Sequence, residues 1–207
     1  MTTMSRARFL LALGGLLLLY PLFARQRNVT TKPYGVEESY KVYSAILPSI
    51  GDSPLVIATE TRTPDLCLQP LDEQSENVLR PAIDNYVELN AMPWPLQKHF
   101  DINRHYDLLA DEELKATFRN GMNGSESLEG WKTFNERHPD SDGWIELSAV
   151  GFNADQTIAV VYMGYYCGAG CRGGEFRALE KKGGKWQLLT GRGLWKRCVW
   201  YTRDRLA

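Results

Sequence analysis

The residues from Trp144 onward constrain the fold most, because they alternate between strand-like stretches and very short polar connections. Five such stretches occur, at 144–152, 157–166, 175–181, 185–190 and 194–202. Turn-forming residues join some of them, such as Asn153-Ala154-Asp155 and Gly183-Gly184. Connections this short join neighbouring strands in antiparallel order, so the sequence predicts an antiparallel β-meander of about five strands.

The first half of the chain is predicted to be helical instead. Apolar residues recur at helical spacing over 36–47, and a short strand is expected at 55–61. Pro81 suits the first turn of a second helix, while Asp111 and Ser127 can each cap a shorter one. Helices followed by a meander predict the α+β class, with a helical N-terminal half packed on one face of the C-terminal sheet.

The N-terminus has the three-part pattern of an export segment. Arg6 and Arg8 precede an apolar run at 9–23, and Ala24 supplies the small residue expected before a cleavage site. The run of about 15 residues is short for a transmembrane helix, which needs roughly 20, although an uncleaved signal-anchor stays open. We therefore divide the chain into a signal peptide or signal-anchor at 1–24, a flexible tether at 25–35 and a single α+β domain at 36–207.

This segment and the charge balance limit the expected location of the protein and the partners that it can have. We expect an exported protein that is periplasmic or extracellular, or anchored in the inner membrane if the segment is retained. Membrane contact is expected only through that segment. The chain has 24 Lys and Arg against 25 Asp and Glu, which argues against nucleic-acid binding through a basic surface.

A string of short motifs runs through the second half. Its parts are Val150-Gly151-Phe152-Asn153, Ala159-Val160-Val161-Tyr162, Cys167-Gly168, Leu179-Glu180-Lys181-Lys182 and Gly184-Lys185-Trp186. The string resembles the signature of a family of uncharacterised bacterial secreted or envelope proteins, and the resemblance covers about 144–200. It implies an exported α+β protein and no particular reaction. Family members carry Gly directly after the second cysteine of the loop, whereas this chain has Arg172 there.

Four cysteines make an even count, and in an exported chain the default expectation is two disulfides. Three pairings are possible. We favour Cys167–Cys171 together with Cys67–Cys198. The two glycines between Cys167 and Cys171 permit the sharp turn that such a short bridge needs.

The glycine-rich loop around this cysteine pair is the candidate binding surface. Its candidate contact residues are Tyr165, Tyr166, Gly168, Gly170, Arg172, Gly173, Gly174 and Trp195. An alternative function uses the sulfur atoms as reagents. Cys167 and Cys171 could act in thiol redox chemistry, or hold a soft ion such as Cu(I) with Met163 as a thioether ligand.

Catalytic and metal-binding patterns are weak elsewhere. His99 and Asp101, with His105 and Asp107, match no zinc motif and are expected at the polar surface. Ser148 lacks the flanking glycines of a nucleophile elbow. The sequence therefore predicts no cofactor and no metal, and does not decide whether the protein is an enzyme. It favours a non-catalytic exported module that binds an unidentified protein or small ligand, with the redox or copper function as the alternative.

Overall fold

The computed structural model describes residues 37–62, 73–118, 127–189 and 202–203. The helices are α1 (Glu37–Ile46), α2 (Glu73–Leu89), α3 (Asp111–Phe118) and α4 (Leu128–Arg137), and a single 3₁₀ turn covers Leu47–Ser49. The strands are β1 (Leu55–Ala58), β2 (Tyr106–Leu109), β3 (Trp144–Leu147), β4 (Gly151–Phe152), β5 (Ile158–Gly168), β6 (Cys171–Lys182), β7 (Lys185–Leu188) and β8 (Thr202–Arg203). The mixed α+β class is confirmed. The export segment, the tether, Cys67, Trp195 and Cys198 lie outside the described residues.

All the described strands belong to one mixed sheet. Its order is β2-β1-β3-β5-β6-β7, with β4 paired to β5 and β8 paired to β6. β1 pairs in parallel with both β2 and β3, whereas the pairs from β3 onward are antiparallel. The prediction of a purely antiparallel meander is therefore wrong. Two strands from the first half extend the sheet, and helices in the connections allow them to pair in parallel.

The helices lie on both faces of the sheet, so the prediction that they cover one face is also wrong. α1 packs with Leu147, Val161 and Leu179 on the first face. On the second face, α2 packs against Val160 and Phe176, while α3 and α4 enclose a separate aromatic cluster around the first residue of β3. The central strands are apolar on both sides, and each side needs a cover. No helix within the described ranges is long and apolar enough to cross a membrane.

Local signals were right for one helix and wrong for another. Ser127 caps α4 as predicted, because its Oγ accepts a hydrogen bond from the Gly130 N–H at 3.2 Å. Pro81 does not open a helix, since α2 begins at Glu73 and Pro81 lies inside it. Pro81 and Asn77 are exposed, so water can reach the Asn77 carbonyl that the missing Pro81 N–H leaves without its helical donor.

The stretch at 144–152 forms two short strands rather than the single strand that was predicted. β3 ends at Leu147, and β4 begins at Gly151. A Cβ atom at Gly151 would overlap the backbone of α2 at Ala82 and Tyr86. The absence of a side chain at Gly151 therefore allows α2 to pack directly on β4 on the second face of the sheet.

Candidate functional site

A cavity of about 670 Å³ lies along the exposed ridge of α1. Residues 97–101 form one of the walls that flank α1, and residues 184–186 at the β6–β7 turn form the other. Small-ligand sites in proteins commonly have volumes of about 300–1,000 Å³. The cavity is therefore large enough to hold a small molecule or a short piece of chain.

Glu38 ties α1 to the wall formed by β6 and β7. Its Oε2 accepts hydrogen bonds from Lys181 Nζ at 2.6 Å and from Trp186 Nε1 at 3.2 Å. Its Oε1 pairs with Lys41 Nζ at 3.0 Å. The hydrogen bond from the Lys181 ammonium is the main reason that the pKa of Glu38 falls to about 2. Glu38 is therefore an ionised anchor between two elements that bound the cavity.

The opposite wall is held to α1 by two hydrogen bonds from the backbone. The Gln97 N–H donates to Tyr40 Oη at 2.8 Å, and the Asp101 N–H donates to Ser44 Oγ at 2.8 Å. Buried Phe100 packs against the Tyr40 ring, with 5.3 Å between the ring centroids. Both walls are thus fixed to α1 by hydrogen bonds within the chain.

The charged groups around the cavity differ in their partners. Glu37 pairs with Lys41 at 3.0 Å, and His99 Nε2 hydrogen-bonds with the side chain of Gln97 at 3.0 Å. Asp101 and Lys185 come from the two different walls, and within the described residues neither has an ion-pair partner. In the part of the chain that the structure describes, one carboxylate and one ammonium are therefore left for a ligand.

The cysteine pair predicted from sequence closes the β5–β6 hairpin. Cys167 and Cys171 form a disulfide with their Cα atoms 5.1 Å apart. Gly168 pairs with Cys171, so Ala169 and Gly170 make the turn. Gly170 has φ +71°, a conformation that glycine adopts at little steric cost. The disulfide thus shapes the end of a long hairpin, and Cys67–Cys198 stays a prediction.

The predicted loop residues do not share one deep site. Tyr165 and Gly174 line a depression of about 200 Å³, and Tyr165, Tyr166 and Cys167 line another of about 100 Å³. Both depressions are smaller than common small-ligand sites. The loop remains a candidate surface for contact with a larger partner.

The prediction of a glycine loop between the strands at 157–166 and 175–181 is wrong for Gly173 and Gly174, because both lie within β6 and pair with β5. They have a packing role that the sequence did not reveal. A Cβ at Gly173 would overlap the Tyr165 ring, and one at Gly174 would overlap the Tyr162 ring. The two glycines therefore let tyrosines from β5 lie flat across β6. Arg172, Gly168 and Gly170 lie at the closed end of the same hairpin, while Trp195 is outside the described residues.

One buried acid, Glu146 in β3, was not among the residues singled out from the sequence. Its carboxylate accepts a hydrogen bond from Tyr166 Oη at 3.2 Å and lies 3.5 Å from Arg62 Nε. Arg62 also pairs with Asp111, which in turn pairs with Lys115. Burial raises the pKa of Glu146. None of the three cavities described above includes Glu146.

A lone acid within the apolar strand Trp144–Leu147 was the available signal for this network. The partners of Glu146 could not be found in the same way, because they come from distant parts of the chain.

Comparison with known proteins does not extend this description. The chain matches no protein family model, no curated protein and no solved structure. The resemblance to bacterial envelope proteins therefore stays a prediction. The described part of the chain contains no group of three or more His, Cys, Asp or Glu side chains arranged to hold a metal ion.

Proposed function

We propose that the protein is an exported, non-catalytic binding module that takes a small ligand into the cavity along α1. The observation that carries this proposal is the cavity itself, at about 670 Å³ with both walls fixed to α1. A site that is already formed binds at a smaller entropic cost than one that must be ordered by its ligand.

The side chains around the cavity favour binding over catalysis. His99 is the residue type most often used for proton transfer near neutral pH, and here it hydrogen-bonds with the Gln97 amide rather than with a nucleophile or a carboxylate. Lys41 is held by Glu37 and Glu38. Both groups pair with neighbours on their own elements, which supports a binding role over a catalytic one.

The proposed exported location is supported by two separate features. The sequence at 1–24 has the pattern of a secretory signal, and Cys167–Cys171 is joined in a disulfide. Structural disulfides persist in oxidising compartments such as the periplasm or the extracellular space.

The binding proposal is tested by screening a small-molecule fragment library against the isotopically labelled full chain by NMR. We expect ligand-induced shifts to cluster in α1, residues 97–101 and residues 184–186. The variant Ala45→Trp places an indole on the exposed ridge of α1 that lines the cavity. It should remove these shifts while its remaining spectrum stays folded. Fragments that bind elsewhere, or that bind equally well to Ala45→Trp, would contradict the proposal.

A second candidate function is thiol exchange at the hairpin, and exposure of Cys167 favours it. An incoming thiolate could attack this sulfur and release the Cys171 thiolate, and a second thiol would then complete the reduction to two cysteines. Equilibration of the protein in glutathione buffers measures the potential of the bond.

A disulfide that glutathione readily reduces would favour the redox function. Titration of the reduced protein with Cu(I) tests the soft-metal form, because Cu(I) prefers thiolate ligands. The predicted thioether ligand Met163 is buried in the core that α1 covers, four residues along β5 from Cys167, so it is not placed beside the two sulfur atoms. A disulfide that resists glutathione, together with no Cu(I) binding after stronger reduction, would exclude both forms of this function.

A further inference from the structure

We infer that the ligand of the α1 cavity is zwitterionic, an amino acid or short peptide whose free ammonium binds Asp101 and whose free carboxylate binds Lys185. This inference rests on the proposed function and adds the chemical class of the ligand. It follows from two charged residues on different walls, for which the residues that the structure describes provide no ion-pair partner.

The first step is the count of charges around the cavity. Glu37 and Lys41 neutralise each other at 3.0 Å, and Lys41 also contacts Glu38. Among the charged cavity residues this leaves Asp101 and Lys185, for which the described part of the chain provides no ion-pair partner. A ligand with a single charge would satisfy one of them. A ligand with a positive and a negative end can satisfy both.

Second, Asp101 and Lys185 both belong to backbone segments that hydrogen bonds hold against α1. The backbone N–H of Asp101 donates to Ser44 Oγ at 2.8 Å, which holds this residue against α1. Lys185 is the first residue of β7 and precedes Trp186, which is anchored to Glu38 at 3.2 Å. The two charges are thus attached to separate rigid elements. Complementary charges on separate elements select the orientation of a ligand more than they raise its affinity.

The third step concerns the surface between the charges. Tyr40, Ala45 and Trp186 contribute apolar atoms to the cavity. A volume of about 670 Å³ equals that of about 22 water molecules at roughly 30 Å³ each, which leaves room for a side chain between the two charged ends. An apolar or aromatic side chain fits this middle region best, because aromatic walls contact such groups favourably.

The experiment uses the tripeptide Ala-Phe-Ala as its probe, in four forms with free ends, an acetylated N-terminus, an amidated C-terminus, or both ends blocked. Binding to the full chain is measured by calorimetry at low salt. We expect the free-ended form to bind most tightly and each block to weaken binding about 1.5- to 5-fold, as for an exposed ion pair. Free phenylalanine, measured in parallel, shows whether a single amino acid is sufficient.

Charge-removing variants show which residue binds which end. Lys185→Met should weaken binding of peptides with a free carboxylate and leave the amidated form unchanged. Asp101→Asn should weaken binding of peptides with a free ammonium and leave the acetylated form unchanged. Lys182→Met and Asp140→Asn are matched controls outside the cavity lining. Lys182 faces Lys185 across the β6–β7 ladder and pairs with Glu180, whereas Asp140 lies on an exposed turn.

Three results would overturn the inference, and each separates it from the proposed function. In the first, the doubly blocked peptide binds the wild type as tightly as the free peptide does and does not bind the Ala45→Trp variant. The ligand class would then be wrong, although the cavity would still be a binding site. In the second, Lys185→Met weakens the binding of all four peptide forms equally, which would indicate a structural role for Lys185. In the third, none of the peptide probes binds. That result would exclude zwitterionic ligands, and the fragment screen alone would then decide the proposed function.

Discussion

Replacement of Glu38 by Gln tests the anchor that joins α1 to the β6–β7 wall of the cavity. The variant keeps the size of the side chain and removes its charge. In the native protein this carboxylate contacts Lys181, Lys41 and Trp186. We expect Glu38→Gln to fold and to have a lower free energy of unfolding than the wild type at neutral pH.

The size of the effect follows from the pKa of Glu38. A value lowered from 4.5 to about 2 corresponds to roughly 3.4 kcal/mol, because each pH unit is worth about 1.36 kcal/mol. That figure is an upper limit, since Lys181 is 27% exposed and Lys41 is 52% exposed, so water screens both ion pairs. We therefore expect a loss of about 1–2 kcal/mol in Glu38→Gln.

The pH dependence gives the sharper result. Because the folded state lowers the pKa of Glu38, the stabilisation is complete above about pH 4.5 and is lost as the pH falls towards 2. The wild type and Glu38→Gln should differ most at neutral pH and converge only as the pH falls to about 2. Urea unfolding followed by tryptophan fluorescence at several pH values measures this difference.

Glu37→Gln is the matched control for this test. Glu37 precedes Glu38 on the same helix, but its side chain is 86% exposed and its ion pair is with Lys41. We expect this control to change stability by less than about 0.5 kcal/mol at any pH. A difference between Glu38→Gln and the wild type that does not depend on pH would refute the role of Glu38 as an ionised anchor.

Three further predictions concern other parts of the fold. Gly151→Ala should lower the free energy of unfolding in urea by about 1–3 kcal/mol, because its Cβ would meet the backbone of α2. Gly164→Ala should lower it less, because its Cβ would contact only the Tyr162 side chain. Equal losses in the two variants would contradict this reasoning. The double variant Cys167→Ala/Cys171→Ala should lose about 2 kcal/mol and keep its affinity for cavity probes, because neither cysteine lines the cavity and the β6–β7 wall lies at the opposite end of β6. Calorimetry that shows weaker binding to the variant would contradict this expectation. Burial raises the pKa of Glu146, so the wild type should lose stability relative to Glu146→Gln as the pH rises above about 4.5. Urea midpoints of the two proteins that keep a constant separation between pH 4 and 8 would exclude this effect.

The parts of the fold that were predicted correctly are those with local signals. The β5–β6 and β6–β7 hairpins have strand-like sequences on either side of short glycine-containing turns. The Ser127 cap precedes a helix whose apolar residues recur at the expected spacing. In each case the residues that determine the structure lie within a few positions of one another.

The parts that were missed depend on distant contacts. β2 has four residues and pairs with β1 about 50 positions upstream, so nothing in its own sequence distinguishes it from a loop. The walls of the cavity are joined by hydrogen bonds between residues 57 positions apart, Tyr40 and Gln97, and 143 positions apart, Glu38 and Lys181. The cavity therefore could not be predicted before the fold was known, and the glycine loop was the more visible candidate.

The most direct test of the account is a crystal structure of the full chain grown with Ala-Phe-Ala. We predict density for the peptide along α1, between residues 97–101 and the β6–β7 turn, with its carboxylate at hydrogen-bond distance from Lys185. A peptide bound instead at the Cys167–Cys171 hairpin, with the α1 cavity filled only by solvent, would contradict the claim that the cavity is the binding site.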